Sequence, residues 1–159
     1  MSLPNGFTYL RDVDASIIKI MSYSTNINFV GKKVNGYLKP FAIITQQAAN
    51  ALKNVQTSLK AEGFSLVIYD AYRPQKATEH FALWALDSTD LKQRNWYYPE
   101  ITDKSQIFEL GYIIPKSAHS RGSTVDVSMI KLGDQICSPF FSKRALSDGR
   151  FVPYINDGT

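Results

Sequence analysis

The sequence holds little of what disulfide-bonded, thiol-dependent or membrane-spanning proteins need. Cys137 is the only cysteine among 159 residues, so neither an intrachain disulfide nor a cysteine-rich metal site can form. No apolar run approaches the length that crosses a bilayer, and residues 1–6 lack the basic and apolar regions of a signal peptide. A single thiol is compatible with a reducing compartment such as the cytoplasm but does not require one.

Clustered charge is also missing. The net charge is +4, but the lysines and arginines are scattered, with no run longer than Lys32-Lys33. Sparse basic residues are typical of a solvated surface, so we expect neither a nucleic-acid nor a membrane partner. A length of 159 residues, with 44% hydrophobic and 20% charged residues, predicts one globular domain over residues 1–159.

The middle of the chain has the clearest periodicity. Apolar residues recur at helical spacing between Thr45, which can cap a helix, and Gly63, which suits its end. Residues 64–69 are a compact apolar run that predicts a buried strand. Pro74 suits the first turn of a second helix that reaches about Ala85. Residues 86–101 predict a long connection, and Asp103 can cap a short helix that ends at residue 111.

The two ends of the chain are less regular. Residues 9–13 and 17–23 predict short strands or irregular arms, and residues 113–123 predict a loop. In a strand over residues 124–130, Val125, Val127 and Met129 share the apolar face, while Asp126 lies on the opposite face. Residues 147–150 predict a hairpin turn before a strand over residues 151–155. The mixture of elements indicates an α+β fold.

One stretch, residues 117–126, joins a histidine to a carboxylate. His119 is one of only two histidines, and Asp126 stands within a strand, where aspartate is disfavoured. Neutral imidazole and carboxylate are normal zinc ligands, and Gly122 permits a tight backbone path between them. The alternation alone leaves open whether Asp126 binds a metal or is an exposed carboxylate.

Three other side chains are candidates for a catalytic or metal-binding role. Arg73 follows the buried strand, so its guanidinium can face a cleft and an oxyanion, or it can pair with Asp70 at the surface. His80 falls within the second helix, where a packed histidine is more common than a metal ligand. Cys137 has no base near it in the sequence and is a weak candidate for a nucleophile.

Two motifs together give the sequence a family resemblance. Tyr69-Asp70-Ala71-Tyr72-Arg73-Pro74 and the Ser-x-His-x-x-Gly-x-x-x-Asp pattern of residues 117–126 closely resemble the D-alanyl-D-alanine dipeptidases. These are zinc peptidases of the hedgehog/DD-peptidase fold, which implies helices packed on a small antiparallel sheet. The resemblance covers most of the chain, from about Tyr9 to Thr159.

The resemblance also implies roles for five residues. His119 and Asp126 match the first two zinc ligands, and Arg73 matches the arginine that stabilises the transition state. Ser117 matches a serine that contacts the substrate carboxylate, and Tyr23 matches a tyrosine near the substrate amine. The implied reaction is zinc-assisted hydrolysis of the cell-wall dipeptide D-Ala-D-Ala.

One part of the family pattern is not matched. The family's third zinc ligand and its general-base glutamate lie in a C-terminal Glu-x-x-His motif, whereas no histidine or glutamate follows His119 here. We therefore expect a domain that lacks its C-terminal part, holds zinc weakly and hydrolyses poorly unless a separate downstream fragment supplies the motif. The alternative is a non-catalytic remnant or a module that binds D-Ala-terminated peptides.

Overall fold

The described part of the chain contains five α-helices, two short 3-10 helices and seven strands. The computed structural model describes residues 3–114 and 116–134 in full, and the backbone of residues 140–145 and 151–156. The helices are α1 (Leu10–Val13), α2 (Gln46–Ala61), α3 (Gln75–Leu86), α4 (Arg94–Tyr97) and α5 (Gln106–Glu109). The strands are β1 (Phe7–Tyr9), β2 (Ile18–Lys19), β3 (Ile43–Thr45), β4 (Phe64–Asp70), β5 (Asp126–Lys131), β6 (Phe140–Ala145) and β7 (Phe151–Asn156). The α+β prediction is confirmed.

The central sheet has the order β2-β4-β5 and is mixed rather than purely antiparallel. β2 runs parallel to β4, and β4 runs antiparallel to β5. The register between β4 and β5 shifts after Ile68, so that Asp70 lies opposite Asp126. This irregularity brings two carboxylates together at one end of the sheet. Strands β1 and β3 form a second sheet, and β6 and β7 form an antiparallel hairpin.

Helix α2 begins and ends as the sequence predicts. The hydroxyl of Thr45 accepts a hydrogen bond from the backbone N–H of Ala48 at 3.4 Å, as an N-cap does. Gly63 follows the helix with φ +85°, a conformation that glycine adopts without strain. The helix packs on β4, and a buried cluster forms around Leu10, Ile44 and Ile68.

Helix α3 carries the second buried cluster. Its predicted buried face is confirmed, since Ala77, Phe81, Trp84 and Ala85 are all buried. Pro74 is the residue before the helix rather than part of its first turn, with ψ 146° in the extended region. Aromatic rings fill most of this cluster, and their centroids lie 4.9–5.9 Å apart between Tyr23, Phe29, Phe81, Trp84 and Tyr98.

The alternation predicted for β5 is present, but its apolar face is the more exposed one. Val127 and Met129 are 47% and 59% exposed, whereas Ser128 and Ile130, on the side of Asp126, are half-buried. The face that carries Val127 and Met129 is therefore not covered by the described part of the chain. Alternation identified which residues share a face but not which face points inward.

Several smaller predictions have mixed outcomes. Residues 9–13, predicted as a short strand or an irregular arm, are mostly the helix α1, so that prediction is wrong. Residues 17–23 contain the short strand β2 and the start of a 3-10 turn at Ser22–Ser24, in line with a short strand and an irregular arm. The loop at residues 113–123 contains a 3-10 helix, Ala118–Arg121. The predicted strand near the end of the chain is present as β7. The turn at residues 147–150 and Cys137 lie outside the described residues.

None of the helices among the described residues is long and apolar enough to cross a membrane.

The carboxamide of Gln56 joins α2 to β4 from a fully buried position. Its nitrogen donates to the Ser65 hydroxyl at 2.9 Å, and its oxygen accepts from the Leu66 N–H at 2.8 Å. Replacing it by leucine leaves these buried groups without partners. We expect Gln56→Leu to lower the free energy of unfolding by about 1–3 kcal/mol in urea titrations.

The matched control is Gln47→Leu, at an exposed position of the same helix. We expect that change to stay within about 0.5 kcal/mol of the wild type. Equal losses for the two variants would show that the buried hydrogen bonds of Gln56 contribute nothing specific.

Candidate metal centre and cleft

The site lies where β4 ends and β5 begins. Asp70 is the last residue of β4, Asp126 is the first residue of β5, and the two are paired across the sheet. His119 belongs to the 3-10 helix that precedes β5, and Arg73 belongs to the turn that follows β4. The sequence-predicted residues His119, Asp126 and Arg73 therefore converge, although up to 53 positions separate them in the sequence.

Backbone contacts tie the turn that carries His119 to the turn that carries Arg73. The N–H of Arg73 donates to the carbonyl oxygen of His119 at 3.3 Å, and the Ser120 hydroxyl donates to the carbonyl oxygen of Arg73 at 2.9 Å. The Ser117 hydroxyl accepts from the His119 N–H at 3.3 Å and begins the 3-10 helix. These contacts set the position of the imidazole relative to the guanidinium.

The imidazole of His119 has a defined tautomer. Nδ1 lies 2.9 Å from the carbonyl oxygen of Ala71, which can only accept, so Nδ1 carries a hydrogen and donates. In the neutral ring the lone pair is then on Nε2, which faces Oδ1 of Asp126 at 3.3 Å. Two acceptors at this distance repel unless a proton or a metal cation lies between them.

The protonation of this pair reflects the same contact. Burial disfavours the imidazolium, but the hydrogen bonds to Asp126 and to the Ala71 carbonyl, together with the Asp126 charge, outweigh it, so the pKa of His119 is raised. Burial likewise disfavours the charged form of Asp126, but His119 and Arg73 outweigh it, so the pKa of that carboxyl is lowered. In the absence of metal the two residues thus form an ion pair at mildly acidic pH.

Asp70 is fully buried and saturated with hydrogen bonds. The hydroxyl of Tyr37 donates to both carboxylate oxygens at 2.8 and 2.9 Å, and the Ala71 N–H donates to Oδ1 at 2.9 Å. Nε of Arg73 donates to Oδ2 at 2.8 Å. Burial and the adjacent Asp70 charge raise the pKa of Tyr37, so its phenol stays a donor.

The guanidinium of Arg73 is held on its edge and on its face. Nε bonds Asp70, and Nη2 lies 3.2 Å from Oδ2 of Asp126. The rings of Tyr23 and Phe81 both lie 5.5 Å from its central carbon, within the range of cation–π attraction. The side chain is only 15% exposed, so the expected pairing with Asp70 is present but not at the surface.

A cavity of about 480 Å³ opens beside these groups. Arg73, His119 and Asp126 line its polar side, and Tyr23 lines it as the predicted substrate contact. The rest of the wall is mostly aromatic and aliphatic: Phe29, Phe81, Trp84, Tyr97, Tyr98, Pro99, Glu100, Ile101, Ile107, Tyr112 and Ile113. Ser117, the other predicted substrate contact, is not among the lining residues.

Three described residues could in principle hold a metal ion, since ligand atoms of Asp70, His119 and Asp126 lie within 4.8 Å of one another. Asp70 is a poor ligand because four hydrogen bonds already occupy its oxygens. Nε2 of His119 and Oδ1 of Asp126 fit better. Their 3.3 Å separation matches the roughly 3.4 Å between two ligands of a tetrahedral zinc at ~2.0–2.2 Å.

The other histidine is far from this chemistry. Nδ1 of His80 accepts from the Asn35 N–H at 3.0 Å, and the side chain is buried. The prediction of a packed helix histidine is confirmed. Sequence reasoning missed Asp70 as a central group and Tyr37 altogether. The sequence does give one signal for Asp70, which is an aspartate at the end of a buried strand. Burying its charge is costly unless a buried partner bonds to it.

The fold and the site together define a class: an α+β domain with a histidine, a carboxylate and a buried arginine converging on one cleft. A model of the family described as D-ala-D-ala dipeptidase matches residues 4–137. The chain belongs to this family. Its fold and its cleft are therefore those of a family member, in agreement with the resemblance that the motifs indicated.

Curated relatives agree with the family. D-alanyl-D-alanine dipeptidases from Enterococcus faecalis, Enterococcus faecium and Streptomyces coelicolor are 35%, 32% and 34% identical to this chain. The matches cover 82%, 91% and 79% of this chain. They cover 64%, 71% and 62% of the three relatives, so the chain matches about two thirds of their length.

Gly122 ends the 3-10 helix that carries His119, and it lies against the ring of Phe7 in β1. It has φ +73°, its N–H donates to the carbonyl oxygen of His119, and a Cβ there would collide with the ring of Phe7. We expect Gly122→Ala to lower the free energy of unfolding by more than the ~1–2 kcal/mol of the left-handed conformation alone. Thermal or urea unfolding measures the loss.

Gly133→Ala is the matched control, because Gly133 has φ +93° but no atom within 4 Å of its would-be Cβ. It should show the backbone cost alone. A loss at Gly122 no larger than the loss at Gly133 would mean that the Phe7 contact is easily relieved.

Proposed function

We propose that the chain is the zinc-binding part of a D-alanyl-D-alanine dipeptidase, with His119 and Asp126 as two zinc ligands. The observation that carries this proposal is the 3.3 Å separation of Nε2 of His119 from Oδ1 of Asp126 at the wall of the cavity. The bond from Nδ1 to the Ala71 carbonyl supports it, because such a bond fixes the tautomer of zinc-binding histidines. The names of the three relatives supply the substrate.

Three residues have parts in the proposed reaction besides the two zinc ligands: Arg73, Tyr23 and Ser117. A bound Zn²⁺ would supply Lewis-acid polarisation of a carbonyl group and of water. Arg73 presents a guanidinium that Asp70 and two aromatic rings hold in place, ready for an oxyanion. Tyr23 would border the substrate amine. Ser117 would contact the substrate carboxylate, although its hydroxyl accepts from the His119 N–H and the residue is not among those that line the cavity.

The proposal assigns the third zinc ligand and the general base to a segment outside these 159 residues. No histidine or glutamate follows His119 in the sequence. That segment is either continuous with this chain or a separate polypeptide. A cytoplasmic location also remains a prediction, which fractionation of cells expressing a tagged chain would check.

A second candidate is a module that binds D-Ala-terminated peptides without cleaving them. The cavity and the held guanidinium favour it, because both exist without a general base. Calorimetric titration with a D-Ala-D-Ala-terminated peptide distinguishes the two functions. Binding without release of D-alanine by the complete protein would favour the module.

The two histidines provide a matched test of the metal centre. We expect zinc to bind these 159 residues weakly, and His119→Ala to abolish that binding, since it removes one of two ligands. His80→Ala should leave the zinc affinity within about twofold, because His80 bonds only a backbone N–H in another part of the fold. Competition with a chromophoric chelator measures both, and equal effects of the two changes would contradict the assignment.

Hydrolysis gives the second test. The 159 residues alone should release D-alanine from D-Ala-D-Ala about 100- to 10,000-fold more slowly than a complete family enzyme, because a general base contributes that much. Adding the polypeptide encoded after the Thr159 codon should restore activity if it carries Glu-x-x-His. Fast turnover by the 159 residues alone would contradict the assignment of the base to an outside segment.

A further inference from the structure

The wall of the cavity depends on an irregular segment, residues 22–34. Apart from one 3-10 turn it contains no helix or strand, yet it places two aromatic rings in the cavity, those of Tyr23 and Phe29. These rings lie 5.9 Å apart, and the Tyr23 ring also faces the guanidinium of Arg73 at 5.5 Å. Something other than regular backbone pairing must therefore fix the shape of this segment.

The side chain of Asn28 provides that constraint. It is 2% exposed, and its carboxamide contacts five backbone groups. Its two amide hydrogens are shared among the carbonyl oxygens of Ser22 (3.3 Å), Thr25 (2.9 Å) and Lys32 (3.0 Å), and its amide oxygen accepts from the N–H groups of Val30 (2.9 Å) and Gly31 (3.1 Å). Two of these groups also have a backbone partner, since the Ser22 carbonyl oxygen accepts from the Thr25 N–H and the Gly31 N–H donates to the Asn28 carbonyl oxygen. The carboxamide therefore links five backbone groups of a segment that has little regular pairing of its own.

All five partners of Asn28 belong to the same segment. The side chain therefore closes residues 22–32 on themselves rather than joining them to the core. One further bond, from the Val34 N–H to the carbonyl oxygen of Tyr23 at 2.9 Å, completes the closure. Loss of the carboxamide should change the shape of the segment, with a smaller effect on the two buried clusters.

We propose that Asn28 is a positioning residue of the cleft: it fixes the segment that presents Tyr23 and Phe29, and through Tyr23 it fixes one face of Arg73. This inference rests on the proposed function for the part that concerns substrate. Asn28 is not among the described residues that line the cavity. Asp70 holds the other edge of Arg73 independently of Tyr23, so loss of the Asn28 carboxamide should affect substrate binding more than the proposed zinc ligands His119 and Asp126.

The replacement Asn28→Asp is the informative variant. It keeps the size of the side chain and an oxygen for the two N–H groups, but it sets a carboxylate against three carbonyl oxygens. Protonation at acidic pH removes the charge and restores one donor. A variant disturbed at pH 7 and partly recovered near pH 5 would show that the donated hydrogen bonds, and not side-chain volume, determine the segment.

Trp84 reports the segment directly, because the Phe29 ring lies 5.0 Å from its ring. Trp96 is the only other tryptophan, so a Trp96→Phe background isolates the signal. We expect Asn28→Asp to shift the Trp84 fluorescence at pH 7 with unchanged far-ultraviolet circular dichroism, and acidification to reverse part of the shift. The control Asn50→Asp, at an exposed position of α2, should show neither change.

The functional arm uses the complete, zinc-loaded protein. Asn28→Asp should raise the KM for D-Ala-D-Ala, or the Kd of an uncleaved analogue, about fivefold or more, while the zinc affinity stays within about twofold. An equal loss of zinc affinity would overturn the inference, since it would indicate general destabilisation. An unchanged KM together with an unshifted Trp84 signal would also overturn it.

The two proposals fail in different ways. A wild-type protein that binds no dipeptide contradicts the proposed function, whatever Asn28 does. In that case the Trp84 signal and its recovery at acidic pH still decide whether Asn28 fixes the segment.

Discussion

The ion pair between Asp70 and Arg73 organises the rest of the site. A carboxylate with no solvent exposure is costly to bury, and it is tolerated here because Tyr37, the Ala71 N–H and the guanidinium all donate to it. Such a pair adds little to stability compared with apolar packing, but it allows one orientation of the arginine. That orientation sends Nη2 to Asp126, which in turn meets His119. Each group in the cleft is therefore positioned by the one before it.

The sequence predicted the elements and the main candidates because both depend on local signals. Thr45 and Gly63 bracket a helix through capping and a left-handed backbone, which are properties of a few neighbouring residues. His119, Asp126 and Arg73 were found because motif spacing and family resemblance identified them together. Two roles were expected as alternatives for Arg73, facing a cleft or pairing with Asp70. The side chain has both, since one edge of its guanidinium pairs with Asp70 while the residue lines the cavity.

The remaining features depend on contacts between distant parts of the chain. Alternation could not show which face of β5 packs on the core, because that depends on what covers each face of the sheet, and the register shift after Ile68 cannot be seen in either strand alone. Tyr37 and Asn28 lie in the segment with the weakest periodicity. Tyr37 acts on a residue 33 positions away, and Asn28 bonds only irregular backbone. No local pattern distinguishes such residues from ordinary loop residues.

The charges of the cleft give a reason why a cation belongs there. Two carboxylates, Asp70 and Asp126, face one guanidinium, so with a neutral imidazole the described cluster carries one net negative charge. Asp126 divides its oxygens, Oδ2 toward Arg73 and Oδ1 toward His119, so the proposed zinc would take the place of the proton that Oδ1 and Nε2 share. The proposed Zn²⁺ would change the net charge from negative to positive. A positive cleft with a fixed guanidinium suits a substrate that develops negative charge on a carbonyl oxygen as water attacks it.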